Sequence, residues 1–172
     1  SDNIYDSNPG YAGLLGSGRL NAYQALEQPD DVPPAAIRDI KIAETKLSSA
    51  VLTWTATGAS GTTGIAFEYD IRYAKAAITA SNFSSATPAT NITKPKSAGT
   101  AETFEVTGLQ PNTKYYFAIK AKDFWNNIST ISNVVSTTTL KPPVIKVTPT
   151  SLTENLFAGN TSVKNLTISN TG

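Results

Sequence analysis

The sequence predicts an all-β domain of two packed antiparallel sheets over residues 33–140 of the 172, and three observations predict it. Short runs rich in β-branched and aromatic residues alternate with turn residues through this span. Within the runs, apolar and polar residues alternate with a period of two, as expected of strands with one buried and one wet face. The third observation is Leu109-x-Pro111-x-Thr113-x-Tyr115, the form of a corner in which the phenol opening a strand bonds back to backbone just upstream.

Taken in chain order, "SAVLTWTA" places Ala50, Leu52, Trp54 and Ala56 on one face. "FEYDIRY" turns Phe67, Tyr69, Ile71 and Tyr73 inward and leaves Glu68, Asp70 and Arg72 to water. The long stretch "AKAAITASNFSSATPATNITKPKSAGTAE" is rich in Ala, Ser and Thr and predicts one short edge strand with an irregular excursion. "TFEVTGL" contributes Phe104 and Val106. "YYFAIKAK" contributes Tyr115, Phe117, Ile119 and Ala121 against outward Tyr116, Lys120 and Lys122, and "SNVVSTTT" closes the set.

Trp54, the Tyr69-x-Ile71-x-Tyr73 run and the corner residues Leu109, Pro111, Thr113 and Tyr115 together resemble a fibronectin type III domain over residues 33–140. The resemblance implies a seven-strand antiparallel, immunoglobulin-like sandwich. It also implies a spacer, adhesion module or protein-binding surface, since such a fold licenses no activity by itself. One departure falls in "KAKDFWNNIS", where bacterial examples usually carry a small residue and then Gly-Asn; Asn126 stands in the glycine's place and tolerates the left-handed backbone that such a turn needs.

Ahead of this domain, "YAGLLGSGRLNAYQALEQ" sets three glycines before a predicted short helix at residues 19–27, with Ser17 as its N-cap. The spacing Gly13-x-x-Gly16-x-Gly18 followed by Arg19 meets neither the P-loop nor the dinucleotide pattern, and the residues before it do not read as a buried strand. "SNPGYAGLLGSGRLNAYQAL" instead resembles the C-terminal end of the catalytic domain of subtilisin-like serine proteases. That resemblance implies that the helix packs on a protease body and that residues 1–32 are its tail. Leu20, Tyr23 and Leu26 would form an apolar face that nothing N-terminal in this chain covers, so the chain reads as a fragment of a longer protein. Asp30-Asp31-Val32-Pro33-Pro34 reads as the hinge into the sandwich.

At the other end, "KPPVIKVTPTSLTENLFAGNTSVKNLTISNTG" gives a Pro-Pro linker and two strand-like runs, "VIKVTP" and "VKNLTISN". Residues 141–172 resemble the start of an immunoglobulin-like bacterial surface module, a partial β segment without a complete core. Asn-x-Ser/Thr triplets at Asn82, Asn91, Asn127, Asn160 and Asn165 follow from the abundance of those residues.

The chain has no histidine, so a Ser-His-Asp triad cannot be built from it. It has no cysteine, which removes disulfides, thiolate metal sites and cysteine nucleophiles. Asp2 with Asp6, and Asp30 with Asp31, fall in a terminal segment and a linker, where carboxylates are solvated rather than tuned as acid and base. Fourteen Lys and Arg against thirteen Asp and Glu give a net charge of +1, scattered without a basic stripe for nucleic acid. No run is long and apolar enough for a membrane span. The expectation is therefore no catalytic residue, no cofactor and no metal.

The combined resemblance implies a non-catalytic accessory region of a secreted bacterial subtilisin-like serine protease, extracellular or at the cell surface. Its first partner would be the catalytic domain of the same chain. The alternatives are a module that binds an extracellular protein or polysaccharide, and an adhesion protein. Phe124 and Trp125 are the candidate contact residues, because two adjacent large aromatics in a turn cannot both face a core. Counting strands brings that turn to the end of the sandwich that holds the Gly-rich loop "TGASGTTG", residues 57–64, and faces the N-terminal segment. The expected contacts are Leu14, Leu15, Tyr23 and Leu26.

Overall fold

The alternating runs form two antiparallel sheets in the computed structural model, which describes residues 31–170. One sheet joins β1 (Lys41–Thr45), β2 (Ser49–Thr55) and β5 (Ala101–Thr107) in the order β1-β2-β5. The other joins β3 (Glu68–Ala74), β4 (Thr87–Pro88), β6 (Lys114–Lys122) and β7 (Val135–Thr138) in the order β4-β3-β6-β7. The expected helix at residues 19–27 lies outside the described residues.

The core is filled by the inward set of each strand. Ala50, Leu52 and Trp54 come from β2, Val106 from β5, Tyr69 and Ile71 from β3, and Tyr115, Phe117, Ile119 and Ala121 from β6. Ile37 and Ile40, ahead of β1, close one side. Each large aliphatic or Phe side chain buried in this way contributes about 1.5–3 kcal/mol. Trp54 meets Tyr69 edge to face, with ring centroids 5.3 Å apart.

Three expectations need correction. Phe67 does not join the inward set: its N–H bonds to the Lys122 carbonyl at 2.8 Å while Glu68 also sits opposite Lys122. Two residues thus oppose one, the period of two breaks as at a bulge, and the Phe67 ring turns to solvent. The outer face of β6 is not uniformly wet either. The excursion after β3 makes a 3-10 turn, Phe83–Ser85, and packs Ile78, Phe83 and Ala86 over Ala118 as a second small core. Arg72, expected in water, holds this turn: its Nη1 donates to Ser84 O at 2.8 Å and Ala86 O at 3.2 Å, and its guanidinium lies 5.4 Å from the Phe83 ring centroid. The inward side of β5 also holds a carboxyl group that the strand pattern did not single out. Glu102 is buried, accepts the Lys96 N–H at 2.6 Å and pairs with Lys96 Nζ at 3.4 Å.

β8 (Ile145–Thr148) and β9 (Thr167–Asn170) form a separate antiparallel hairpin in which Val147 faces Ile168. Ile145, Val147 and Ile168 leave it one exposed apolar face.

Candidate binding surface at one pole of the sandwich

β6 ends at Lys122, and the chain then makes a tight turn organised by a buried carboxylate. Asp123 Oδ1 accepts the Asn127 N–H at 2.8 Å and Oδ2 accepts from Asn127 Nδ2 at 2.8 Å, while its own N–H donates to Asn127 O at 3.1 Å. Asn126 takes φ 69°, the left-handed geometry that Asn adopts at lower cost than most residues. The turn therefore presents Phe124 and Trp125 at its tip, 71 % and 40 % exposed.

These rings continue into a strip. Phe124 packs edge to face on Phe67 at 5.8 Å and on Trp125 at 5.7 Å between centroids, and Phe67 is itself 52 % exposed. Lys122 Nζ lies 5.9 Å from the Phe67 centroid. The strip edges an open groove of about 600 Å³ whose walls include Ala59, Ile65, Phe67, Ile92, Pro95 and Phe124. Leu14, Leu15, Tyr23 and Leu26, the expected contacts of Phe124 and Trp125, lie outside the described residues.

The same pole holds the incoming linker. Ala35 N–H donates to Gly61 O at 2.9 Å, Gly61 N–H donates to Pro33 O at 3.1 Å, and Thr57 Oγ1 donates to Ala35 O at 2.9 Å. Gly58 allows the loop to close on itself, because a Cβ there would lie 2.1 Å from Thr63 O. Ala59, two residues before Gly61, is a groove wall, so linker and aromatic strip are neighbours.

The outgoing chain is held at the opposite pole, by the corner. Tyr115 Oη accepts the Gln110 N–H at 3.1 Å, Leu109 is buried, and Thr113 Oγ1 donates to Pro111 O at 2.9 Å. Thr139, a residue the strand pattern did not single out, is also buried. Its hydroxyl donates to Gln110 O at 2.6 Å and accepts the Thr113 N–H at 3.0 Å. Leu140 N–H then donates to Lys46 O, and Leu140 O accepts the Asn112 N–H, both at 3.0 Å.

Titratable groups are perturbed for structural reasons. The Ser49 hydroxyl, at 2.6 Å, and Lys46, at 3.0 Å, hold the Glu105 carboxyl below its ordinary range. Burial pushes the Tyr69 phenol up. Among the described residues no cluster of three or more His, Cys, Asp or Glu could hold a metal ion, and no helix is long and apolar enough to cross a membrane.

The sequence model of a family described as fibronectin type III domain matches residues 35–138. Solved structures similar to the chain include the FN1-FN3 domains of chicken CNTN1, at 19% identity and TM-score 0.47, covering 63% of this chain and 33% of that one. The fibronectin type III domain of human fibronectin type III domain containing protein 3 is 19% identical with TM-score 0.43, covering 64% of this chain and 89% of that one. A set of titin domains is 21% identical with TM-score 0.46, covering 64% and 33%. The chain thus spans about a third of the CNTN1 and titin chains.

Proposed function

Because the chain belongs to the fibronectin type III domain family, we propose that it is a non-catalytic spacer that holds its N- and C-terminal neighbours at opposite poles of the sandwich. The observation that carries this reading is the pair of fixed junctions, Pro33 and Ala35 on Gly61 at one pole and Leu140 on Lys46 and Asn112 at the other. A hydrogen-bonded junction transmits orientation, whereas a free Gly/Ser linker transmits only distance. Modules of this family serve in general as binding or spacer domains, commonly in extracellular or surface proteins.

In the finer reading, residues 1–32 are the tail of a catalytic domain, 33–140 the spacer, and 141–172 the start of an immunoglobulin-like module. The parent is a secreted bacterial subtilisin-like serine protease, and the spacer positions or stabilises that enzyme. The likeness of "SNPGYAGLLGSGRLNAYQAL" to the end of such catalytic domains supports this. Labelling with a serine-directed fluorophosphonate tests it. The parent protein takes up label, and residues 1–172 alone take up none, because without histidine no serine here has the usual general base. Stoichiometric labelling of this chain, or an unlabelled parent, contradicts the reading.

The exposed strip of Phe67, Phe124 and Trp125 favours a second reading, in which the module grips an extracellular protein or polysaccharide. Saturable change in Trp125 fluorescence on adding such a ligand, in a Trp54→Phe background, is its signature.

A further inference from the structure

Ile65, Phe67, Phe124 and Trp125 are all at least 40 % exposed at one pole, and a cluster of large apolar groups of this kind marks a contact surface. We infer that its occupant is this chain's own N-terminal segment, with Leu20, Tyr23 and Leu26 seated on the strip beside the Gly61 loop. This rests on the reading of a fixed N-terminal junction and names what that junction positions.

Three observations carry it. The linker is hydrogen-bonded at Pro33 and Ala35 to Gly61, so the preceding chain is delivered to this pole and to no other. Ala59 of the same loop is a wall of the groove along which Phe67 and Phe124 lie, so the delivery point borders the apolar surface. Reach is sufficient: Leu26 stands seven residues before Pro33, and an extended chain spans at most about 25 Å over that length. The segment also supplies matching chemistry. At helical spacing Leu20, Tyr23 and Leu26 fall on one side, with Glu27 among them, and Asn21, Ala25 and Gln28 fall on the other. Leu20, Tyr23 and Leu26 are thereby brought within reach of an apolar strip that has no cover among the described residues.

The experiment uses the complete 172-residue chain, whose lack of cysteine and two tryptophans make it well suited to paramagnetic broadening. A nitroxide is placed at Asn21→Cys, on the polar side of the segment, and the two indole N–H signals of the isotope-labelled protein are followed, with Trp54→Phe assigning them. The inference predicts that the Trp125 signal loses most of its intensity, that Trp54 loses less, and that Leu20→Asp with Leu26→Asp restores Trp125. A Trp125 signal unchanged by the label overturns it and leaves the strip to an outside partner. Broadening that also appears when the nitroxide is carried only by unlabelled molecules mixed with isotope-labelled ones overturns it in favour of a second copy. A control nitroxide at Asp31→Cys reads the junction separately through the Gly61 amide. If Gly61 broadens and Trp125 does not respond to the Asn21 label, the seat is wrong and the junction stands; if Gly61 is also unaffected, both fail.

Discussion

The side-chain amide of Asn133 brackets the peptide of Ile40: Oδ1 accepts the Ile40 N–H at 3.1 Å and Nδ2 donates to the Ile40 carbonyl at 3.0 Å. One residue ahead of β1 is thereby tied to the approach of β7, across 93 positions of sequence. The amide supplies both partners that a neighbouring strand would have supplied, at a place where no ladder reaches.

Asn133→Ala leaves both Ile40 backbone groups without these partners. The expected loss is about 1–3 kcal/mol, measured as a lower denaturation midpoint of the complete chain. Asn133→Asp keeps the acceptor and loses the donor, so it falls short of wild type as well. An unchanged midpoint for Asn133→Ala contradicts the bracket.

Two tyrosines of one core respond unequally to the same substitution. Tyr115 Oη accepts the Gln110 N–H, so Tyr115→Phe costs roughly 1 kcal/mol. Tyr69 Oη is buried and makes no well-formed hydrogen bond, with only the Trp54 side chain and the Thr57 backbone as polar neighbours, so Tyr69→Phe costs less than Tyr115→Phe. Equilibrium denaturation of both variants beside wild type decides it, and equal losses for the two refute the distinction.

Alkaline pH tests the same buried phenol. Burial raises the folded-state pKa of Tyr69 above its ordinary 10.0. The folded chain then holds a proton that the unfolded chain releases, and stability falls as pH rises. The contribution is fully present below about pH 10 and is lost as pH climbs through the raised folded value. Melting temperatures recorded from neutral to alkaline pH are expected to decline less steeply in Tyr69→Phe than in wild type. Identical slopes contradict the assignment.

Much of the fold was legible because it is local. The alternation of Ala50, Leu52 and Trp54, and of Phe117, Ile119 and Ala121, reports directly which side of a strand is dry, and those residues are buried as the pattern requires. Phe67 escaped the pattern because a backbone irregularity at Lys122 shifts the phase by one residue, which no local composition announces. The small core under Phe83 escaped because it depends on where a long, low-contrast excursion lands. Asn133, Thr139 and Arg72 were equally silent, since each satisfies backbone groups distant in sequence and carries no periodic signal. Of the candidate surface, Phe124 and Trp125 were visible as two aromatics in a turn. Phe67 and Ile65 became part of it only through the folded geometry.

The central claim is that both junctions are fixed at opposite poles, and a pole-to-pole distance tests it most directly. Nitroxides at Asp31→Cys and Lys141→Cys, both exposed positions in a chain without native cysteine, give that distance by double electron–electron resonance. β6 runs from one pole to the other over nine residues, and at ~3.3 Å per residue the separation is about 30 Å. The account predicts a single narrow distribution near that length. A broad distribution, or one centred at a much shorter distance, would show that the linkers hang free and that the sandwich does not set the geometry of its neighbours.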